Sequence, residues 1–183
     1  MISPEQPARK NIRLSEYDYS TTGAYFITIC TQDRRKLFSD IVGADLVSAR
    51  VRLNQAGHII DRVYNETIAS FINIKSNCYV IMPNHFHCII SIRAIATRAN
   101  TRFAPTSETT AVEIGDIIKA FKSKTTVEYI RGVKAGLLAP FNKRLWQRNY
   151  YEHVIRNQDD LLRIWQYIEE NPSTWSKDRY YTS

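Results

Sequence analysis

The sequence predicts an α+β domain in which helices pack on an antiparallel sheet. Segments rich in β-branched and aromatic residues intersperse with segments whose apolar residues recur at helical spacing, in the order strand, helix, strand, strand, helix, strand, helix. The turn between the two middle strands, Met82-Pro83-Asn84, is too short for a parallel crossover, so those strands must pair antiparallel. A chain of 183 residues that is 44% hydrophobic carries enough apolar material for one core and suits one domain better than two.

The elements follow in order. Residues 1–22 carry Arg9, Lys10 and Arg13 with few large apolar groups, and are read as an arm. Residues 23–176 form the domain and 177–183 a short tail. Tyr25-Phe26-Ile27-Thr28-Ile29-Cys30-Thr31 is a strand, closed by Gln32-Asp33-Arg34-Arg35-Lys36. Apolar residues flanking Gly43 make 37–53 a small hairpin. A helix starts at Asn54, with Ile59, Ile60, Val63, Tyr64, Thr67, Ile68 and Phe71 at helical spacing. Cys78–Ile81 and His85–Ile92 are the two strands around Met82-Pro83-Asn84, where proline interrupts the ladder. Residues 94–111 read as a loop. A helix over 112–131 offers Val112, Ile114, Ile117, Ile118, Phe121, Val127 and Ile130 to the core. After a second loop, 132–144, Leu145–Ile155 is a strand. Asp159–Glu170 is the last helix, striped by Leu161, Leu162, Ile164, Trp165 and Ile168 and stopped by Pro172.

Composition excludes several classes. No apolar run approaches the roughly 20 residues that a bilayer span needs. The opening Met1-Ile2-Ser3-Pro4-Glu5-Gln6-Pro7 has no apolar core of a signal peptide. Cys30, Cys78 and Cys88 are odd in number and lack CxxC spacing, which argues against a disulfide scaffold or a cysteine zinc ribbon and fits a reducing, cytoplasmic setting. A net charge of +7 points toward a polyanion partner, although many ordinary enzymes are as basic.

Two segments carry chemistry. In Pro83-Asn84-His85-Phe86-His87-Cys88-Ile89-Ile90, His85 and His87 sit two apart on a strand and so share one face, while Phe86, Cys88, Ile90 and Ile92 share the other. Two imidazoles on one face make half of a metal site, though two unliganded histidines would have the same spacing. In the last helix Tyr167 and Asn171 are four apart and share a face. Tyrosine can act as a nucleophile and asparagine as a neutral oxygen ligand. Against this, the chain has 11 tyrosines, and Asn before Pro is an ordinary helix stop.

The segments taken together resemble a known family. Pro-Asn-His-Phe-His-Cys-Ile-Ile, then a basic helix, then Trp146-Gln-Arg-Asn-Tyr-Tyr-Glu-His-Val-Ile-Arg-Asn157, then Tyr167-Ile-Glu-Glu-Asn-Pro172, resembles the single-tyrosine HUH transposases. The likeness is greatest to their REP-associated tyrosine transposase branch, and it runs from Tyr25 to Trp175. It implies a ferredoxin-like fold, His85 and His87 as metal ligands, Tyr167 as nucleophile and Asn171 as third, amide-type ligand. Many relatives have glutamine at that last position. It also implies a DNA endonuclease and strand transferase acting on single-stranded DNA with hairpins, as a monomer or a homodimer.

Mixed N/O ligation suits Mg²⁺ or Mn²⁺. Such an ion would offset charge developing on a phosphate attacked by a phenol, whose pKa near 10 keeps it neutral at pH 7. Lys119, Lys122 and Lys124 on the basic helix, Arg144 and Arg148 beside Trp146, Tyr150 and Tyr151, and Arg163 one turn before Tyr167 are the expected DNA contacts. Two other readings fit the residues. One is a non-catalytic or degenerate basic domain that binds hairpin DNA with structural histidines. The other is a metallohydrolase using His85 and His87 with Glu169 or Glu170.

Overall fold

The computed structural model describes residues 22–43, 49–93 and 112–182. Most of the arm and all of the 94–111 loop lie outside the described residues. A four-stranded sheet is built from β1 (Gly23–Cys30), β4 (Ile74–Ile81), β5 (His85–Ile92) and β6 (Tyr151–Ile155). A separate hairpin pairs β2 (Ser39–Val42) with β3 (Arg50–Leu53), as expected for 37–53. The helices are α1 (Gln55–Ala69), α2 (Ile114–Lys134) and α3 (Gln158–Glu170).

The spatial strand order is β4-β5-β1-β6, every pair antiparallel. With the hairpin set aside, the sequence β1-α1-β4-β5-α2-β6 is the split βαβ of a ferredoxin-like fold. The predicted α+β class and its antiparallel sheet are therefore what the chain forms. Among the described residues no helix is long and apolar enough to cross a membrane.

Period-two alternation sorts the sheet into two faces. Tyr25, Ile27, Ile29, Phe86, Cys88, Ile90, Ile92 and Val154 point to one side, where they are buried against α1 and α2. Phe26 and Ile89 point to the other, where Ile164 and Ile168 of α3 cover them. Both apolar faces of the sheet are thus used, and His85 and His87 fall on the α3 side.

Several expectations shift at the edges of elements. The strand expected over Leu145–Ile155 is shorter: residues before Tyr151 are anchored individually, through a bridge from Thr31 to Trp146 and a Gln147 N–H to Cys30 carbonyl bond of 2.9 Å. Val127 and Ile130 are exposed rather than core. The buried stripe of α2 runs Ile114, Ile117/Ile118, Phe121, Thr125, Tyr129, and Val127 lies two residues, about 200°, around the helix from Thr125. Leu162 is likewise exposed, two residues and about 200° around the helix from Ile164.

Candidate metal and tyrosine centre

β5 is a central strand, flanked by β4 and β1, and this is why its histidines are inside: His85 and His87 are each 0% exposed. Their rings lie 4.4 Å apart centroid to centroid. Trp175 and Tyr180 close over them, with ring centroids 5.8 and 4.8 Å from His85. Residues 178–180, which the sequence reading left in the tail, therefore fold back onto the site.

Hydrogen bonds hold both imidazoles and fix the tautomer of His85. The Asn84 side-chain nitrogen donates to the carbonyls of Tyr180 (2.8 Å) and Arg34 (3.2 Å), which turns Asn84 Oδ1 toward His85. His85 Nδ1 is then the donor to Asn84 Oδ1 at 2.9 Å, and its Nε2 carries the lone pair. His87 Nδ1 meets the Thr28 hydroxyl at 2.8 Å, leaving His87 Nε2 facing Tyr167. Burial keeps both rings neutral. His85 falls from 6.5 to about 4 despite the nearby Asp178 carboxylate, and His87, buried beside His85, also falls well below 6.5.

α3 brings Tyr167 and Asn171 to the same place, since four residues make about one helical turn. Asn157 caps the helix, its side chain accepting from the Asp160 N–H at 2.8 Å. The Tyr167 hydroxyl donates to Asp178 Oδ2 at 3.2 Å and lies 3.3 Å from His87 Nε2. Burial, then the Asp178 charge, raises the Tyr167 pKa well above its ordinary value. Asn171 Nδ2 donates to Asp178 Oδ2 at 2.7 Å.

Two buried atoms at the centre have no hydrogen-bond partner: His85 Nε2 and Asn171 Oδ1. Orphaned buried lone pairs are costly, and here both belong to groups that ligate cations. One ligand atom each from His85, His87 and Asp178 lies within 4.8 Å of the others. Two neutral imidazoles, an amide oxygen and a carboxylate form a donor set that fits a divalent cation.

Asp178 was missed by the sequence reading. It stands in an irregular turn after the 3₁₀ segment Trp175–Lys177, outside any periodic pattern that would have marked it. Glu169 and Glu170 do not join the cluster. Their carboxylates accept from Trp165 Nε1 and Gln166 Nε2, both at 2.7 Å, on the exposed side of α3.

The expected DNA contacts divide. Lys119, Lys124, Arg144 and Arg148 are exposed. Lys122 is half-buried and donates to the carbonyls of Gln147 (2.6 Å) and Arg148 (3.1 Å), and its burial lowers its pKa to about 8. It clamps a loop rather than facing solvent. Arg163 is exposed and bonds to Asp160 Oδ1 at 2.5 Å. Trp146 is buried and donates to Thr125 Oγ1 at 2.9 Å, whereas Tyr151 is exposed.

No protein-family model matches the chain. An uncharacterized protein of Haemophilus influenzae is 32% identical over 179 residues, spanning 94% of this chain and 93% of that protein. A solved REP-associated tyrosine transposase bound to a REP hairpin superposes with a TM-score of 0.54 at 20% identity, over 91% of this chain and 77% of that one. The shared fold agrees with the resemblance carried by the sequence motifs.

Proposed function

We propose that this chain, which belongs to one family with the Haemophilus influenzae protein and carries the fold of the REP-associated tyrosine transposase, is a metal-dependent single-stranded DNA endonuclease and strand transferase that works through Tyr167. The observation that supports this best is the Tyr167 hydroxyl within reach of His87 and Asp178, beside the orphaned buried lone pairs of His85 and Asn171.

In this reading His85, His87 and Asn171 hold a divalent cation, Mg²⁺ or Mn²⁺, with Asp178 as a further ligand or as the anchor of Asn171. When bound, the cation neutralises charge building on the phosphate oxygens. Tyr167 Oη attacks phosphorus in line with the bond to the 3′ oxygen. Its proton passes to Asp178, the acceptor already in reach, or to water. The P–O3′ bond breaks, the 3′ oxygen leaves as a hydroxyl, and a 5′-phosphotyrosine keeps the phosphodiester energy for transfer to another 3′ end. A cation held by these residues would offset the Asp178 charge that disfavours phenolate, and on this reading cleavage requires metal.

Hairpin DNA is the proposed substrate, its stem and backbone held by Lys119, Lys124, Arg144, Arg148 and Arg163. The structure of a hairpin-bound transposase with this fold supports that choice. The test incubates labelled hairpin oligonucleotides from the DNA flanking the gene with protein, in Mn²⁺ or EDTA, beside Tyr167→Phe. The proposal predicts an SDS-resistant, metal-dependent band that is absent in the variant. Hairpin binding with no such band would instead mark a non-catalytic DNA-binding domain.

A further inference from the structure

We propose that the cavity between α3 and the edge strand β6 receives the base of the nucleotide adjoining the phosphate attacked by Tyr167, stacked on the ring of Tyr151. The inference rests on the reading above and assigns part of its substrate to a site that the reading leaves unused.

The cavity follows from how α3 crosses the sheet. Ile164 and Ile168 seat the helix over Phe26 and Ile89, toward the β4–β5–β1 side. Tyr151 and His153 of β6 share the face of Phe26, but lie at the far edge of the sheet from β4. The space left is about 380 Å³, lined by Phe26, Tyr151, His153, Arg163, Ile164 and Tyr167. That falls near the low end of small-molecule sites, which run to about 300–1,000 Å³. It suits one nucleotide and is too small for a duplex.

The walls suit a base. Phe26 stands edge-on to both Tyr151 and Tyr167, with centroids at 6.2 and 6.0 Å and interplanar angles of 69° and 88°. Tyr151 is 37% exposed, so its ring is accessible to a flat partner. Of the aromatics in its segment, Trp146 is buried and Tyr150 packs on the core, which leaves Tyr151 for a ligand.

The rim suits the backbone. Asp160 holds the Arg163 guanidinium at the mouth through Oδ1 at 2.5 Å and the His153 ring through Oδ2 at 2.7 Å. The Arg179 guanidinium lies over the Tyr151 ring, 5.2 Å from its centroid, and so holds one face of that ring as a cation–π partner. Because the ring of Tyr167 is itself a wall, a base in the cavity brings its own phosphate to the attacking hydroxyl.

The experiment places 2-aminopurine at each position in turn along the single-stranded tail of a hairpin oligonucleotide. Full-length protein is added in EDTA, so that no strand is cut. Stacking quenches the fluorophore at one tail position, or at two neighbouring ones, with wild type and Tyr151→Phe. Tyr151→Ala loses the quench there alone and binds the tailed hairpin roughly 5- to 100-fold more weakly. The same hairpin with an abasic residue at that position binds wild type and Tyr151→Ala equally. No quench at any position, or a quench unaltered in Tyr151→Ala, overturns the proposal. Adduct formation is scored separately, so stacking without an adduct would defeat the endonuclease reading while leaving the subsite standing.

Discussion

Asp178 is the residue on which the balance of the site turns. Its Oδ2 accepts from Asn171 and from the Tyr167 hydroxyl, and its Oδ1 accepts from the Tyr180 N–H at 2.6 Å. Replacing it by asparagine removes the only carboxylate grouped with the two histidines among the described residues. Asp178→Asn should raise the Mn²⁺ concentration for half-saturation about tenfold or more, measured by calorimetric titration.

The buried histidines make a second prediction at this scale. His85 titrates near 6.5 unfolded and near 4 folded, and His87 shifts in the same direction. Between those values the unfolded chain binds more protons, so stability rises with pH there and is lost as pH falls from about 6.5 toward 4. The metal-free protein should therefore show a midpoint of urea unfolding that is flat above pH 7 and declines below 6.5. His85→Asn should decline less steeply.

At the scale of elements, α3 positions half of the site, and its start is set by one cap. Asn157→Ala removes the side-chain acceptor for the Asp160 N–H and should cost about 0.5–2 kcal/mol, read by thermal denaturation. It should also slow adduct formation if fraying of the first turn reaches Asp160 and Arg163. The elements also divide in how legible they were. The alternation of His85-Phe86-His87-Cys88 fixed which histidines face together, and Tyr167 with Asn171 followed from helical spacing, because both are local periodicities. Asp178, Thr28 and Asn84 were not legible as partners. Thr28 meets His87 across 59 residues, and Asn84 is turned toward its neighbour His85 by a bond to Tyr180 across 96. Val127 and Ile130 misled because an apolar residue on a helix reveals its face only once the stripe through Thr125 and Tyr129 is known. Lys122 misled because charge in the sequence does not tell solvent-facing from buried.

For the whole molecule, a chain of net charge +7 has a sheet closed by two helices on one face and by one, the tyrosine helix, on the other. Exposed cations should contribute through counterion release and the buried one through packing. Lys119→Ala and Arg144→Ala should each weaken hairpin binding with little change in melting temperature, and lower the salt slope by about 1. Lys122→Met should lower the melting temperature, because the carbonyls of Gln147 and Arg148 lose their donor. The central claim, that Tyr167 bonds covalently to DNA, is tested most directly by mass spectrometry of the trapped complex. Trypsin releases Ile164–Lys177, in which Tyr167 is the sole tyrosine. After nuclease digestion, this peptide should carry a 5′-phosphonucleotide on Tyr167 in the sample with Mn²⁺ and none in the sample with EDTA. A nucleotide found on any other residue, or cleaved DNA with an unmodified Ile164–Lys177 peptide, would contradict the account.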